Sequence, residues 1–415
     1  FICEAIDQTR GWFYTMMAVG TLIHRRSSYE NVVCVGLLLD AEGRKMSKRL
    51  GNILEPIPLM DRHGADAVRW FMLASGSPWN DRRISHEVLA EIVRKVLLTY
   101  WNTAAFQTLY GRSFRQVPSP TTDGPVMDRW LRSELASLID TVDSSMEAFD
   151  SQRAAQRLAT FIDDMSNWYV RRSRRRFWEG DPAALATLHE CLDVLTRLLA
   201  PLIPFVTERV WQALVVATDP DAPDSVHLAS WPERRPELID ETLSKQMRLV
   251  RRLVEVGRAA RGASGIKVRQ PLSRALVIAP GWESVPDELR AEIADELNVS
   301  RLETLEDSAE VVDTVVRPQF RAIGRRFGSR TQQVAQAVRA AEPTSLATAL
   351  QTTGSATVLV DGEEVTLSSE EVLVTQTPRS GWFVATEDGL TVALDLEVTP
   401  ELRRAGIARD LVRIV

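Results

Sequence analysis

The stretch of sequence that indicates the fold most directly lies at residues 43–52 and reads GRKMSKRLGN. Lys45, Lys48 and Arg49 place three cations within five positions, and the Leu-Gly-Asn that follows them is typical of a turn. The apolar run at 32–39 just before this stretch predicts a buried strand. We therefore expect the cations to lie on a loop at the end of that strand.

A loop that carries Lys45 and Lys48 is suited to binding a polyphosphate, because two ammonium groups can follow charge as it develops on phosphoryl oxygens. Taken alone, a cluster of lysine and arginine is more simply interpreted as a solvated basic loop or a localisation signal. The sequence on both sides of the loop favours the phosphate-binding interpretation.

The opening residues, FICEAIDQTRGWFYTMM, predict a strand, a polar loop and a helix in that order. Ligands of open α/β sheets lie at the carboxyl ends of the strands, where Asp7 and Gln8 fall. A carboxylate and an amide are suited to a ribose diol, Glu4 to an ammonium group, and Trp12 to the wall of an apolar pocket. Taken singly, a helix N-cap for Asp7 and a core position for Trp12 are the simpler interpretations.

Together these stretches resemble the class I aminoacyl-tRNA synthetases, most closely their isoleucyl members. Residues 45–49 (KMSKR) are similar to the family's KMSKS signature, and residues 4–13 (EAIDQTRGWF) to its Glu-Gly-x-Asp-Gln-x-Arg-Gly-Trp-Phe motif. Residues 64–71 (GADAVRWF) follow the loop as in the family, and residues 166–174 (SNWYVRRSR) resemble the helical anticodon-binding domain of the isoleucyl and valyl enzymes. The resemblance is dense over 1–235 and thinner beyond.

The resemblance implies roles for individual residues. Lys45 and Lys48 would be catalytic, binding the phosphates of ATP and stabilising the transition state of activation. The residues implied to contact ATP or the aminoacyl-adenylate are Glu4, Asp7, Gln8, Lys45, Met46, Ser47 and Lys48, and Trp12 would line the isoleucine pocket. Two positions depart from the family pattern: Ala5 replaces Gly, which adds a methyl group where backbone approaches the ligand, and Arg49 replaces the final Ser of the signature.

Other features that the resemblance implies do not occur in the sequence. The family's second phosphate-binding signature, His-Ile-Gly-His, is missing, and the five histidines are scattered singly. The editing domain that the family inserts between the two halves of its nucleotide fold is missing too. We therefore expect the carboxyl-terminal portion of a longer enzyme, and a portion that is inactive by itself.

The predicted fold class is multidomain, with α/β, all-α and α+β parts in that order. The expected divisions are 1–50, the end of a Rossmann-type catalytic domain that supplies the second half of the nucleotide fold; 51–85, a connector; 86–235, a helical anticodon-binding bundle; and 236–415, a small carboxyl-terminal α+β appendage. Residues 118–125 predict a Pro/Ser/Thr-rich link between helices. In the appendage, Asp361-Gly362 and Asp388-Gly389 predict the turns of two β-hairpins.

A run of arginines at 171–176 is the clearest basic feature of the helical region. Its five arginines cover nearly the full circumference of a helix, so some must face the bundle or acidic partners such as Asp163 and Asp164. The others form either a solvated, salt-bridged face or contacts to tRNA phosphates, where arginine sets position without reading sequence. The candidate tRNA contacts are Arg171, Arg172, Arg174 and Arg175.

A second basic helix is predicted over residues 240–261, where Arg248, Arg258 and Arg261 are among its cations. A solvated helix face and a surface against tRNA explain this pattern equally well. The net charge of −6 argues against nucleic-acid binding through the whole surface, so any tRNA contact must come from local basic patches.

Composition predicts a cytoplasmic protein without a membrane segment, because no apolar run reaches the ~20 residues that span a bilayer. Cys3, Cys34 and Cys191 are isolated, which supports neither a structural zinc site nor a disulfide framework. The resemblance implies Mg²⁺ on the ATP phosphates, although the sequence shows no protein ligand for it.

For the whole enzyme the resemblance implies a monomeric isoleucine–tRNA ligase, which uses ATP to activate isoleucine and transfers it to tRNA-Ile. One alternative is a tRNA-binding module without chemistry, built from the helical bundle and the appendage. Another is the valyl relative. The side chains of isoleucine and valine differ by one methylene, which is worth only ~1–3 kcal/mol of discrimination, so the sequence alone leaves this alternative open.

Overall fold

The computed structural model describes residues 1–111, 124–306 and 310–414. The chain forms two compact units, Phe1–Ser244 and Lys245–Val415. Most of the link predicted at 118–125 lies outside the described residues. In the part of the chain that is described, no helix is both long enough and apolar enough to cross a membrane.

The first unit opens with short strands and helices. They are β1 (Ile2–Ala5), α1 (Trp12–His24), β2 (Val32–Val35), β3 (Leu38–Leu39), α2 (Pro56–His63), α3 (Ala65–Ala74) and β4 (Arg82–Arg83). β1 pairs in parallel with β2, and β3 in parallel with β4. The predicted strand–helix–strand order is therefore confirmed, and the loops after β1 and β2 leave the same edge of the sheet.

The apolar run at 32–39 is not one continuous strand, because its pairing changes at Gly36. The N–H of Gly36 donates to the carbonyl of Pro78 (2.9 Å), and a β-carbon at Gly36 would lie 2.5 Å from the backbone of Asn80. Only glycine allows the two chain segments to approach this closely. The run thus pairs first with β1 and then with β4.

The rest of the first unit is helical. Its helices are α4 (His86–Ile92), α5 (Leu98–Gly111), α6 (Val126–Glu147), α7 (Ser151–Asp163), α8 (Arg174–Trp178), α9 (Pro182–Leu199) and α10 (Pro204–Trp211). Wider π-helical turns occur at Val93–Leu97, Asp164–Val170 and Gln212–Val216. The apolar positions on α6 that recur at helical spacing are all buried, namely Leu131, Leu135, Leu138, Ile139 and Val142.

Two side chains of α3 bind the turn between α9 and α10. The carboxylate of Asp66 accepts hydrogen bonds from backbone N–H groups at the start of α10, the shorter one from Val206 (2.7 Å). The guanidinium of Arg69 donates to the carbonyls of Pro201 and Leu202 (2.8 and 3.1 Å). Helix ends leave such groups without partners inside the helix, so α3 joins residues 51–85 to the helical bundle.

The second unit contains most of α11 (Glu241–Ser264). Its other helices are α12 (Asp287–Leu297), α13 (Phe320–Phe327), α14 (Thr331–Ala340), α15 (Pro343–Thr353) and α16 (Pro400–Ile414). Its strands are β5 (Leu272–Ile278), β6 (Val299–Thr304), β7 (Val312–Pro318), β8 (Ser355–Val360), β9 (Glu363–Ser368), β10 (Val372–Pro378), β11 (Trp382–Glu387) and β12 (Leu390–Asp395). One sheet has the order β11-β12-β5-β6, while β7 pairs with β10 and β8 with β9.

Both hairpins predicted from Asp-Gly pairs are confirmed, as β8–β9 and β11–β12. Asp361 and Gly362 have φ of 51° and 85°, and Asp388 and Gly389 have φ of 47° and 79°. Positive φ at both central residues is the requirement of a type I′ turn, which aspartate followed by glycine meets at low cost.

Arg261 on α11 is neither solvated nor available to tRNA, so for this residue both interpretations of the basic helix are wrong. It is completely buried, and burial lowers its pKa to about 10. Its guanidinium donates to the backbone carbonyls of Lys267, Val268, Gln270 and Asn298. Arg261 thus holds the chain that follows α11, and its charge is stabilised by peptide dipoles.

Candidate functional site

Asp40 fixes the base of the loop that carries Lys45 and Lys48. Asp40 is only 6% exposed, and its carboxylate accepts from the backbone N–H and the Nε of Arg44 (2.7 and 2.9 Å). It also accepts from Nδ2 of Asn52 (2.8 Å). These bonds, above all the one from Asn52, lower the pKa of Asp40 to about 2. The carboxylate is therefore ionised at neutral pH and holds both ends of the loop.

Asn52 also binds the middle of the loop. Its Oδ1 accepts from the backbone N–H of Ser47 (2.9 Å), while Oγ of Ser47 accepts from the N–H of Leu50 (3.3 Å). This second bond caps the single 3-10 turn Lys48–Leu50, which ends at Gly51 with φ of 64°. The turn predicted from Leu-Gly-Asn is confirmed, and the asparagine side chain closes it.

Met46 anchors the loop while the neighbouring lysines remain exposed. Met46 packs against a buried apolar cluster formed by Leu59, Val68, Phe71, Ile84 and Leu89. Lys45 and Lys48 are exposed on either side of it. Within the described residues, neither ammonium group has an ion pair or a hydrogen bond. The fold therefore holds the backbone of this loop and leaves its two lysine side chains available to a ligand.

The polar residues after β1 form the second part of the candidate site. Nε2 of Gln8 donates to Oδ2 of Asp7 (3.1 Å), and its Oε1 accepts from the backbone N–H of Trp12 (2.8 Å). Gln8, and not Asp7, thus caps the start of α1. A β-carbon at Gly11 would lie 2.7 Å from Oε1 of Gln8, so the glycine of this motif leaves room for the cap.

The exposed surface around α1 is unusually apolar. Trp12 is 43% exposed, so its interpretation as a core residue is wrong, and Tyr14, Leu22 and Ile23 are also exposed. Glu4, at the end of β1, is exposed as well. A helix that is apolar on all sides is normally covered by other protein or by a ligand. The edge of the sheet that carries Glu4 and Asp7 therefore lies beside a surface suited to further contacts.

In the arginine run, Arg176 faces the bundle. Its NH1 and NH2 donate to the two carboxylate oxygens of Asp128 (2.6 and 2.7 Å), and its Nε donates to Asp181 (2.7 Å). The hydroxyl of Tyr169 donates to the same Asp128 (2.9 Å). Burial acts to lower the pKa of Arg176, but the bonds to Asp128 outweigh it and raise the pKa. The prediction that part of the run faces the bundle is confirmed.

Other arginines of the run lie on the surface. Arg174 and Arg175 are exposed, and Nε of Arg175 donates to the neighbouring Glu179 (2.7 Å). Nε of Arg171 donates to the carbonyl of Asn167 (2.8 Å), and its guanidinium lies over the ring of Trp168. Arg172 is half-buried. The surface positions of the run are thus compatible with phosphate contacts.

Across 1–111, 124–306 and 310–414, His, Cys, Asp and Glu side chains form no group of three or more that could hold a metal ion. The Mg²⁺ that the resemblance implies therefore has no matching donor set in these residues, and we assign it none. Cys3, Cys34 and Cys191 are free thiols.

Two protein-family models match the chain. The model described as tRNA synthetases class I (I, L, M and V) matches residues 1–85, and the model described as anticodon-binding domain of tRNA ligase matches residues 128–276. The loop with its lysines therefore lies within the segment that the class I synthetase model matches. The anticodon-binding match extends past residue 235, the end that the sequence predicted, into α11 and β5.

Relatives match over the whole length. An isoleucine–tRNA ligase of Streptomyces coelicolor is 60% identical over 100% of this chain, and one of Thermobifida fusca is 62% identical over 100% of it. The chain is related throughout to the isoleucine–tRNA ligases. It spans about 40% of the length of these ligases. A crystal structure of a leucyl-tRNA synthetase of Agrobacterium radiobacter K84 with tRNA aligns with 57% of this chain and 29% of its own, at 21% identity and a TM-score of 0.45.

The relation to isoleucine–tRNA ligases confirms the resemblance stated from the short motifs. Sequence reasoning did not predict that Asp40 and the side chain of Asn52 hold the loop, or that Asp66 and Arg69 bind the turn between α9 and α10. A weak signal exists for the first two, since a buried aspartate before a basic loop and an asparagine after it are both capable of binding backbone amides. No local signal marks Asp66 or Arg69, whose partners lie more than 130 residues away.

Proposed function

We propose that this chain supplies the KMSKS-like loop and the anticodon-binding domain of an isoleucine–tRNA ligase. Such an enzyme joins isoleucine to ATP to form the adenylate and then transfers the acyl group to the 3′ end of tRNA-Ile. The observation that carries the proposal is the similarity, over the whole of this chain, to ligases of that name. The two exposed lysines on a loop held by Asp40 and Asn52 support it independently.

In the proposed activation step, an isoleucine carboxylate oxygen attacks the α-phosphorus of ATP while the bond from phosphorus to pyrophosphate breaks. No covalent intermediate with the protein is needed, because positioning and charge stabilisation suffice for an in-line displacement. Lys45 and Lys48 would stabilise the negative charge that accumulates on the departing pyrophosphate. Ser47 and Met46 would set the path of the loop between them.

The polar residues after β1 would hold the adenylate. Glu4 would bind the ammonium group of isoleucine, and Trp12 would line the pocket for its side chain. Asp7 would accept from ribose hydroxyls. Oε1 of Gln8 is already bonded to the backbone N–H of Trp12, and one N–H of its amide donates to Asp7. The second N–H of that amide is therefore the group that Gln8 offers to a ligand.

The finer architecture follows from the same proposal. Residues 1–50 would be the second half of a Rossmann-type nucleotide fold, and the exposed apolar face of α1 would pack against the rest of that fold. Residues 51–85 would connect it to the anticodon-binding bundle at 86–235, with the α+β appendage at 236–415. The complete enzyme would act as a cytoplasmic monomer and use ATP with Mg²⁺.

A chimeric ligase tests the proposal. In it, this chain replaces the matching 40% of the Streptomyces coelicolor enzyme, and isoleucine-dependent exchange of pyrophosphate into ATP is measured. We expect exchange with isoleucine in the chimeric ligase, and tRNA-Ile binding without exchange in the 415-residue chain alone. A chimeric ligase that folds and binds tRNA-Ile but does not exchange would favour the module without chemistry. Faster exchange with valine would favour the valyl relative.

Replacing Asn52 by alanine should slow exchange in the chimeric ligase by about 10- to 100-fold, since a small misplacement of a catalytic loop has effects of this size. The change removes the bonds to Asp40 and Ser47 together. The matched control is Asn102→Ala, which alters an exposed asparagine on α5 and should leave exchange unchanged. Equal rates in the two variants would show that the Asn52 side chain does not position the lysines.

The low pKa of Asp40 also gives a pH dependence. Because its folded-state pKa of about 2 lies below the ordinary carboxyl value, its contribution to stability is fully present above about pH 4 and is lost as the pH falls towards 2. In the Asn52→Ala variant we expect the pKa of Asp40 to rise towards its ordinary value. Titration of the Asp40 carboxyl carbon by NMR measures this shift, and an unchanged pKa would contradict it.

A further inference from the structure

A basic surface lies in the second unit, outside the residues that either family model matches. Residues 317–339 contain six arginines and no aspartate or glutamate, although the whole chain has a net charge of −6. They comprise the end of β7, the helix α13 and almost all of α14. Positive charge is therefore concentrated here against the overall balance, which is the electrostatic pattern of a local anion-binding surface.

Three of these arginines have partners within the unit. NH1 of Arg326 donates to both carboxylate oxygens of Glu371 (3.0 Å each). NH2 of Arg330 donates to Glu363 (3.0 Å), and the guanidinium of Arg339 lies over the ring of Phe320. These contacts hold α13 and the turn after it against β9 and the loop before β10.

The other three arginines, Arg317, Arg321 and Arg325, are exposed. Within the described residues, none of them has an ion pair or a hydrogen bond from its side chain. Arg321 and Arg325 are one turn apart on α13, about 6 Å along the helix axis. The opposite side of the helix is apolar, since Ile323 is fully buried and Phe327 packs against the same core. Arg321 and Arg325 are thus held outward by the packing of α13.

We propose that this surface, defined by Arg317, Arg321 and Arg325 with the exposed ring of Phe320, binds the phosphate backbone of tRNA. Guanidinium groups match phosphate oxygens in a planar, two-pronged geometry. The face of the Phe320 ring that Arg339 does not cover is suited to stacking on an unpaired base. The identity of the RNA as tRNA rests on the proposed function, whereas the phosphate-binding character rests on the charges alone.

The comparison with the arginine run at 171–176 strengthens this assignment. That run is denser in sequence, but Arg175 and Arg176 bind carboxylates of their own domain. A guanidinium that is already paired must break that pair before it can bind a phosphate. The three arginines of the second unit have no such bond to break.

Binding of a tRNA-Ile transcript to the full 415-residue chain tests the inference. The triple variant Arg317→Gln, Arg321→Gln, Arg325→Gln removes the three charges and keeps side chains that can donate hydrogen bonds. At ~0.15 M salt we expect its affinity to fall about 30- to 100-fold, and the dependence of log K on log salt to flatten by about 2 to 3, because each phosphate contact contributes nearly one counterion.

The matched control removes three exposed arginines of the same unit that already have carboxylate partners. It is Arg301→Gln, Arg379→Gln, Arg404→Gln, whose partners are Glu303, Asp313 and Glu401. We expect its affinity for tRNA to change less than threefold. Thermal unfolding of both variants verifies that they remain folded.

Protection of the unmodified chain gives a second measurement that needs no variant. Phenylglyoxal modifies exposed arginines, and we expect tRNA to slow its reaction at Arg321 and Arg325 but not at Arg301. Binding that is as tight and as salt-dependent in the triple variant as in the parent, without protection, would overturn this inference and leave the proposed function intact. A parent chain that binds no tRNA would overturn both. If the triple variant loses binding to anionic lipid vesicles but keeps its binding to tRNA, the surface would be assigned to a membrane, and this inference would also be overturned.

Discussion

Replacing Lys48 by alanine in the chimeric ligase should slow adenylate formation by about 100- to 1,000-fold, the effect of removing one preorganised charge-stabilising donor. Lys48 is exposed on a turn whose backbone is capped by Ser47 and tied to Asp40 through Asn52. Removing its ammonium group therefore changes the charge that meets the pyrophosphate without changing the path of the loop. Isoleucine-dependent pyrophosphate exchange measures the rate.

The same substitution should leave tRNA-Ile affinity unchanged, because Lys48 lies in the segment that the class I synthetase model matches and outside the anticodon-binding match. Lys95→Ala is the matched control, since Lys95 is an exposed lysine paired with Glu91 on the helical bundle. We expect it to retain the exchange rate of the parent. Exchange in Lys48→Ala within threefold of the parent would remove Lys48 from the proposed catalytic residues.

Replacing Arg176 by alanine should lower the free energy of unfolding of the first unit by about 3–5 kcal/mol, the usual effect of removing one partner of a buried ion pair. The side chain of Asp128 is 3% exposed and that of Arg176 is 22% exposed. Without the guanidinium, Asp128 keeps only the hydroxyl of Tyr169 as a partner among the bonds described above. Urea unfolding followed by tryptophan fluorescence measures the change.

Arg175→Ala is the matched control, one residue away in the same run. The side chain of Arg175 is 86% exposed, and its partner Glu179 is also largely exposed. Solvent screens such a pair, so its loss should leave the unfolding transition unchanged. If Arg176→Ala lowers the free energy of unfolding no more than Arg175→Ala does, the bidentate bond to Asp128 contributes little to stability.

Local features of this chain follow from the order of its amino acids. The Asp-Gly pairs at 361–362 and 388–389 and the turn after Lys48 were predicted because the required dihedral angles belong to adjacent residues. The helical spacing of apolar residues on α6 was equally local. The relation to the ligases was also visible in short motifs, since residues 4–13 and 45–49 each hold several implied ligand contacts within a few positions.

Which charges are available to a ligand depends instead on residues that are far apart in the chain. Arg175 and Arg176 are neighbours, yet only Arg176 meets Asp128, which lies 48 positions away on α6. Arg261 belongs to a helix pattern that was interpreted as exposed, but the chain that follows α11 folds back over it. A sequence shows how many cations a segment has. Packing determines which of these cations have partners, because an ion pair, or a set of hydrogen bonds to backbone carbonyls, forms only where the fold brings donor and acceptor atoms within about 3 Å.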